Sequence, residues 1–222
     1  MPAIAIVGAG SRLGLSIARV FGQHDFGVAL IARSEERLDA LTARLQAEGI
    51  TAAAFPADIM NRPALVAALD GAAGHFGGID ALEYSPTTGD ITGVLDVTVE
   101  NLQPQVERFC YGAVTATRAV LPAMLAAGAG TLLFTTGASS VKPTPRFGNA
   151  GLAQAALRSW ALNLNSALAP EGIYAGHVAI GVWISGTPRA PEGARGVDPD
   201  DIARIYWDLH TTRSQAEYLI SS

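Results

Sequence analysis

The chain has 222 residues, 49% of them hydrophobic, with 24 glycines and a formal charge of −5. That length suits one α/β domain over residues 1–222 with a large core, and the negative balance leaves no basic footprint for nucleic acid. The single cysteine, Cys110, excludes an internal disulfide and fits a reducing cytoplasm; no signal peptide is expected, and no apolar run of the roughly 20 residues that a membrane span needs.

Residues 2–7 are a short apolar run closed by Gly8-Ala9-Gly10, which predicts a buried strand and then a tight turn. Residues 13–21 have helical periodicity. Residues 28–32 predict a second buried strand, and 35–48 a helix with solvated charges. Strands follow at 51–56 and 79–83. Residues 99–126 predict one long helix that Pro122 bends near its end. A fifth strand is expected at 131–135, a second long helix at 150–168 and a sixth strand at 174–180. Residues 188–199, rich in Pro and Gly, read as a mobile loop ahead of a helix at 199–209. Strands and helices alternate over short connections, so the fold class is α/β: a single Rossmann-type, doubly wound parallel sheet with helices on both faces.

Gly8-Ala9-Gly10-Ser11-Arg12-Leu13-Gly14 joins the first strand to the first helix, the context in which a glycine-rich turn binds a dinucleotide. Gly8 permits the sharp turn, Gly14 lets helix and strand pack closely, and the helix start offers its N–H groups to a pyrophosphate. A tight turn that binds nothing is the other reading. The segment resembles the Gly-x-x-x-Gly-x-Gly turn of the short-chain dehydrogenases/reductases. The resemblance runs from residue 3 to about residue 185, through Gly78-Ile79-Asp80-Ala81-Leu82, Gly112, Ala119-Val120-Leu121-Pro122 and Ile180-Gly181. Arg12 stands in place of the middle glycine, where its guanidinium either crowds a pyrophosphate or contacts it.

The second strand ends in Ala32-Arg33-Ser34. An NAD site would carry an acid there for the ribose 2′-hydroxyl. Ala32 removes the acid and Arg33 can pair a 2′-phosphate, so NADP is expected over NAD. The alternative is a solvated Arg33 paired with Glu35 or Glu36. The resemblance gives Asp58 the adenine amine as partner, with Ile59 and Ser85 completing the cofactor contacts; an ordinary helix N-cap is the other reading of Asp58.

The family's catalytic groups are replaced. Ala150-Gly151-Leu152-Ala153-Gln154 occupies the place of the Tyr-x-x-x-Lys pair, with Ala150 for the tyrosine and Gln154 for the lysine. Phe109 falls on the catalytic asparagine, and Thr136 or Gly137 on the serine. In the family, the tyrosine exchanges a proton while hydride moves at the nicotinamide. Its pKa of about 10 is lowered by a lysine one turn along the same helix face. Alanine exchanges no proton and glutamine carries no charge, and a positioned acid is worth roughly 10²–10⁴ in rate. Candidate substitutes are Tyr84, at the carboxyl end of the fourth strand, and Thr136; Tyr84 could equally be packing. Ser139, Ser140 and Lys142 could line the pocket, and Trp183 could wall it. His177 reads as a satisfied core histidine. Four histidines and one cysteine show no ligand spacing, so no metal is expected.

Three functions stay open. One is an NADP(H)-dependent oxidoreductase acting on a carbonyl or alcohol with a substitute proton donor. The second is a cofactor-binding or partner protein without turnover. The third is a non-redox cyclase or lyase in the same pocket. The resemblance also implies a homodimer or homotetramer through the two long helices, with Ala150, Ala153, Ala155, Ala156 and Ala161 as a small-residue surface. No nucleic-acid or membrane partner is expected, and the small-molecule substrate is not named by the sequence.

Overall fold

The computed structural model describes residues 1–187 and 196–221. The apolar run at the N-terminus is β1 (Ala3–Val7), and every residue in it is fully buried, as a strand covered on both faces requires. It is central to a seven-stranded, all-parallel sheet with β2 (Gly27–Ala32), β3 (Ala52–Pro56), β4 (Ala81–Tyr84), β5 (Gly130–Gly137), β6 (Ile173–Ile180) and β7 (Glu217–Ile220). The order is β3-β2-β1-β4-β5-β6-β7. It reverses direction between β1 and β4, which opens a crevice at the carboxyl ends of those strands, where open α/β sheets bind ligands. The molecule is therefore the doubly wound α/β sheet that the alternation of elements predicts.

Helices α1 (Leu13–Gly22), α2 (Glu35–Ala47) and α7 (Pro199–Thr212) cover one face, packing Leu15, Ile17, Phe21, Leu38, Leu45 and Tyr206 on Ile4, Ile6, Val28 and Leu30. Helices α3 (Arg62–Phe76), α4 (Val99–Val106), α5 (Gly112–Ala127) and α6 (Gly148–Leu168) lie on the other, with Leu65, Phe109, Ala113, Ala161 and Leu168 over Val7, Leu82 and Phe134. Capping explains where several begin. The Ser34 hydroxyl accepts from the Arg37 N–H at the start of α2, and Thr98 and Asn101 form a reciprocal capping box at α4.

Three features differ from the sequence reading. Helix α3 and strand β7 were not singled out by periodicity: α3 is Ala- and Gly-rich, and β7 is a four-residue edge strand. Pro122 lies inside α5, and the long helix also carries a wide π turn at Glu107–Tyr111, just after Pro104 removes an amide donor. Finally, the helical stretch Val99–Ala127 is long and apolar enough, by length and composition, to cross a membrane, which corrects the expectation that no run reaches that length. Much of its apolarity is core packing through Phe109, Ala113, Ala116, Val120 and Met124. Of the expected loop at 188–199, residues 188–195 lie outside the described residues.

Candidate active site

The glycine turn stands at the mouth of the crevice. Gly8 has φ +94°, and a Cβ there would lie 2.2 Å from the carbonyl oxygen of Ser85, so only glycine fits between β1 and the end of β4. A Cβ on Gly14 would lie 3.1 Å from Ala9 Cα, which is the close helix–strand approach the spacing predicts. Gly10 and Ser11 are exposed, and Leu13 starts α1 with no side-chain cap and no acid in the first turn. Uncapped N–H groups and the positive helix end make a cradle for an anion. Arg12 is half-buried, and its side chain reaches toward Gly186, beyond β6.

Arg33 is exposed at the end of β2, and among the described residues it forms no ion pair with Glu35, Glu36 or any other carboxylate. Asp58 follows β3 and accepts from the Met60 N–H at 3.0 Å. It is not the cap of α3; Asn61 is, accepting from the Ala64 N–H at 3.2 Å. The Ile59 carbonyl lies beside Gly112, and the Ser85 N–H donates to Val7 O at 2.9 Å, which ties the ends of β1 and β4 together.

Tyr84 does not reach the crevice. Its side chain is fully buried against Gly112, and its hydroxyl donates to the Arg108 carbonyl inside the π turn. Burial pushes the phenol far above its ordinary range. The expected proton donor is thus a packing residue that anchors the wide turn, and Phe109, in the asparagine position, is buried beside it in the core.

The residues expected in the tyrosine and lysine places, Ala150 and Gln154, are packed in. Ala150 is fully buried. Gln154 Oε1 accepts from the Gly137 N–H at 3.0 Å and the Ser139 hydroxyl at 3.2 Å, while its Nε2 reaches Thr88 Oγ1 at 3.5 Å. A Cβ on Gly137 would lie 3.2 Å from that Gln154 oxygen, so the glutamine occupies the space beside it. Asn149 stitches the connection after β4 over the start of α6. Its Oδ1 accepts from the Thr92 N–H, and its Nδ2 donates to Asp90 O and Asn101 O, at 3.0–3.1 Å. Of the small-residue surface, Ala150, Ala153 and Ala161 pack inside the chain, and Ala155 and Ala156 are exposed.

Beside this lies a cavity of about 200 Å³ lined by Val94, Ser139, Pro143, Phe147, Gly151 and Leu152. A wider, shallow depression of about 520 Å³ along Gln46, Ile50, Ala52 and His75 sits at the amino end of β3, the wrong end of the sheet for ligands of this fold. Lys142 is on the exposed connection after β5, and Trp183 is 37% exposed beyond β6.

Two buried polar groups stand on strands that otherwise read as apolar. Sequence reasoning missed the first; of the second it named Thr136 and Ser140 as site candidates and His177 as a core histidine, without bringing them together. Glu83, on β4, is fully buried, its Oε1 accepting from the Thr135 hydroxyl at 2.7 Å, and Thr135 in turn meets the Tyr206 hydroxyl at 2.7 Å. Burial pushes the Glu83 carboxyl up to about 8. On the opposite face of β5, Thr136 lies 2.8 Å from both Ser140 Oγ and His177 Nε2. The carboxylate in a strand and the alternation of Thr135 and Thr136 were the available signals.

Residues 2–190 match the short chain dehydrogenase family, to which the chain belongs. Among curated proteins, it is 29% identical over 174 residues to dehydrogenase/reductase SDR family member 4 of Sus scrofa, covering 77% of this chain and 61% of that protein. It is 25% identical over 203 residues to an uncharacterized oxidoreductase of Staphylococcus aureus, covering 90% and 87%. Among solved structures, L-sorbose reductase from Gluconobacter frateurii, complexed with NADPH and L-sorbose, superposes with a TM-score of 0.88 at 20% identity, covering 99% of this chain and 95% of that one. An NADPH-bound short chain oxidoreductase from Pseudomonas aeruginosa, described as containing an atypical catalytic center, superposes with a TM-score of 0.87 at 20% identity, covering 98% and 94%.

Proposed function

We propose that this chain is an NADP(H)-dependent oxidoreductase that moves hydride between the nicotinamide and a small carbonyl or alcohol, with a proton donor other than the family tyrosine. The observation that carries it is Arg33: a cation with no ion-pair partner among the described residues, exposed at the end of β2 beside a turn that only Gly8 can make. Gly8, Gly10, Ser11, Leu13 and Gly14 would cradle the pyrophosphate, with Arg12 adding charge over it. Arg33 would take the 2′-phosphate, Asp58 and Ile59 the adenine, and Ser85 the ribose side of the crevice. When bound, the nicotinamide supplies or accepts the hydride. The lone cysteine favours a cytoplasmic setting, and exposed Val99, Tyr111, Val114 and Leu125 on the long helical stretch favour a homodimer or homotetramer.

Calorimetric titration with NADPH and NADH tests the reading. Tight NADPH binding with much weaker NADH binding is the expected result, and no binding of either refutes it. A second reading, a cofactor-binding protein without turnover, is favoured by the way Gln154 and the buried Ala150 fill the tyrosine–lysine space. NADPH binding without hydride transfer to any carbonyl would select it.

A further inference from the structure

His177 does more than satisfy the core. Its Nδ1 lies 3.0 Å from Glu217 Oε1, and Arg158 grips the same carboxylate, with Nε 2.5 Å from Oε1 and Nη2 2.8 Å from Oε2. Arg158 holds the Glu217 carboxyl below the usual range, and an ionised carboxylate only accepts hydrogen bonds. Nδ1 therefore carries the proton and donates to Glu217, and Nε2 is left to accept the Thr136 hydroxyl at 2.8 Å. Hydroxyl, imidazole and carboxylate then stand in the order in which an imidazole withdraws a proton from a hydroxyl. Burial lowers the His177 pKa, so the ring is neutral and able to accept near pH 7. The charged groups facing it are Glu217 from β7 and Arg158 from α6.

Both ends of this chain of groups lead somewhere. At the inner end, Ser140 Oγ and Thr136 Oγ1 lie 2.9 and 3.2 Å from the carbonyl oxygen of Gly137, which with Thr136 is a candidate for the family's serine place, and neighbouring Ser139 lines the 200 Å³ cavity. At the outer end, the side chains of Glu217 and Arg158 are 26% and 33% exposed, so the fully buried histidine connects to water.

We propose that Ser140, Thr136, His177 and Glu217 form the proton path of the redox site, in place of the missing tyrosine and lysine; this rests on the oxidoreductase reading above. In alcohol oxidation the carbinol C–H bond breaks and its hydride goes to NADP⁺. The alcohol O–H proton passes to Ser140 Oγ as the Ser140 proton passes to Thr136 Oγ1 and the Thr136 proton to His177 Nε2. The C=O bond forms, His177 becomes imidazolium beside Glu217, and the proton exchanges with water through that carboxylate. Carbonyl reduction by NADPH is the same sequence reversed. Ser140, almost fully buried next to the cavity-lining Ser139, is the end of the path assigned to the substrate side; Thr136, His177 and Glu217 act through it.

The test uses the full chain saturated with NADP⁺, a panel of small secondary alcohols, and ¹⁵N-labelled histidine read by NMR. His177 is expected to be protonated on Nδ1. Glu217→Gln should lower the His177 pKa by about 1–3 units and move the acid limb of turnover down with it. Thr136→Val should cut turnover by about 10²–10⁴-fold, Thr136→Ser should restore it, and NADP⁺ affinity by calorimetry should stay the same in all three. An unmoved acid limb in Glu217→Gln, Nε2 protonation of His177, or wild-type turnover in Thr136→Val would overturn the path while leaving the oxidoreductase reading in place. Wild-type protein that binds no nucleotide, or that binds it and oxidises no alcohol of the panel, would overturn the oxidoreductase reading and the path with it.

Discussion

Glu83 makes a pH-dependent contribution to stability whose sign and size follow from its burial. The folded carboxyl titrates at about 8 because desolvation disfavours the anion, against an ordinary value of 4.5. Between those values the folded chain keeps a proton that the unfolded chain releases. Stability is therefore highest below 4.5, falls as pH rises toward 8, and is level above it. A rise from 4.5 to about 8, at about 1.36 kcal/mol per unit, amounts to about 5 kcal/mol in all, of which roughly 1 falls between pH 7 and 9. His177 and His210, both held below 6.5 by burial, act in the opposite sense: their contribution rises with pH and is complete by about pH 7.5. Burial also raises the Cys110 thiol, which adds a smaller loss toward pH 9 in both proteins. The difference between wild type and Glu83→Gln, which keeps the acceptor for Thr135, in urea unfolding at pH 7.5, 8 and 9 therefore isolates Glu83: wild type should lose about 1 kcal/mol more across this window. Equal slopes in the two proteins would refute the assignment.

Gly8→Ala, with its Cβ 2.2 Å from the Ser85 carbonyl and φ at +94°, should lose about 3 kcal/mol or more in urea unfolding; a loss under 1 would mean the turn relaxes freely. Arg33→Ala should weaken NADPH about 10–100-fold by calorimetry and leave NADH unchanged, as charge-assisted hydrogen bonds of about 1.5–3 kcal/mol require; an equal loss for both nucleotides would place Arg33 elsewhere than on the 2′-phosphate. Tyr84→Phe should cost about 1 kcal/mol of stability, the worth of its bond to the Arg108 carbonyl, and leave the pH profile of turnover unmoved. A shifted profile would return Tyr84 to the proton path.

The architecture was legible because strands buried on both faces write themselves as uninterrupted apolar runs, and Gly8 and Gly14 mark where one such run turns into a helix. The expectation that Ala150 and Gln154 replace the tyrosine and lysine rests on residue type alone, since alanine has no hydroxyl and glutamine no charge. The packing around the candidate substitutes was not legible. Tyr84 stands at the right end of the right strand, but strand alternation puts its ring on the α5 side, where the π turn offers a carbonyl and Gly112 leaves room for the phenol. No periodicity signal predicts a five-residue π turn. His177, Thr136 and Glu217 are far apart in sequence, and only the pairing of β5, β6 and β7 brings them into line.

That alignment also bears on the expected replacements along α6. On α6, Ala150, Gln154 and Arg158 follow one another at four-residue intervals, so they share a face. In the family pattern the positive charge belongs one turn after the tyrosine. Here that turn holds a neutral amide bonded to Gly137 and Ser139, and the cation comes one turn later, paired with Glu217 behind His177. A lysine at 154 with no tyrosine to tune would be a charge beside buried Ala150 without a carboxylate partner, which is costly. A glutamine satisfies the same N–H and hydroxyl at no such cost. Moving the charge to Arg158 keeps it near solvent and within reach of the one buried imidazole on this face of the sheet. Gln154→Lys alone should therefore destabilise the protein, and the double variant Ala150→Tyr, Gln154→Lys should destabilise it less than the sum of its parts, by about 0.5–3 kcal/mol of coupling in urea unfolding. Strict additivity would show that the two positions do not interact.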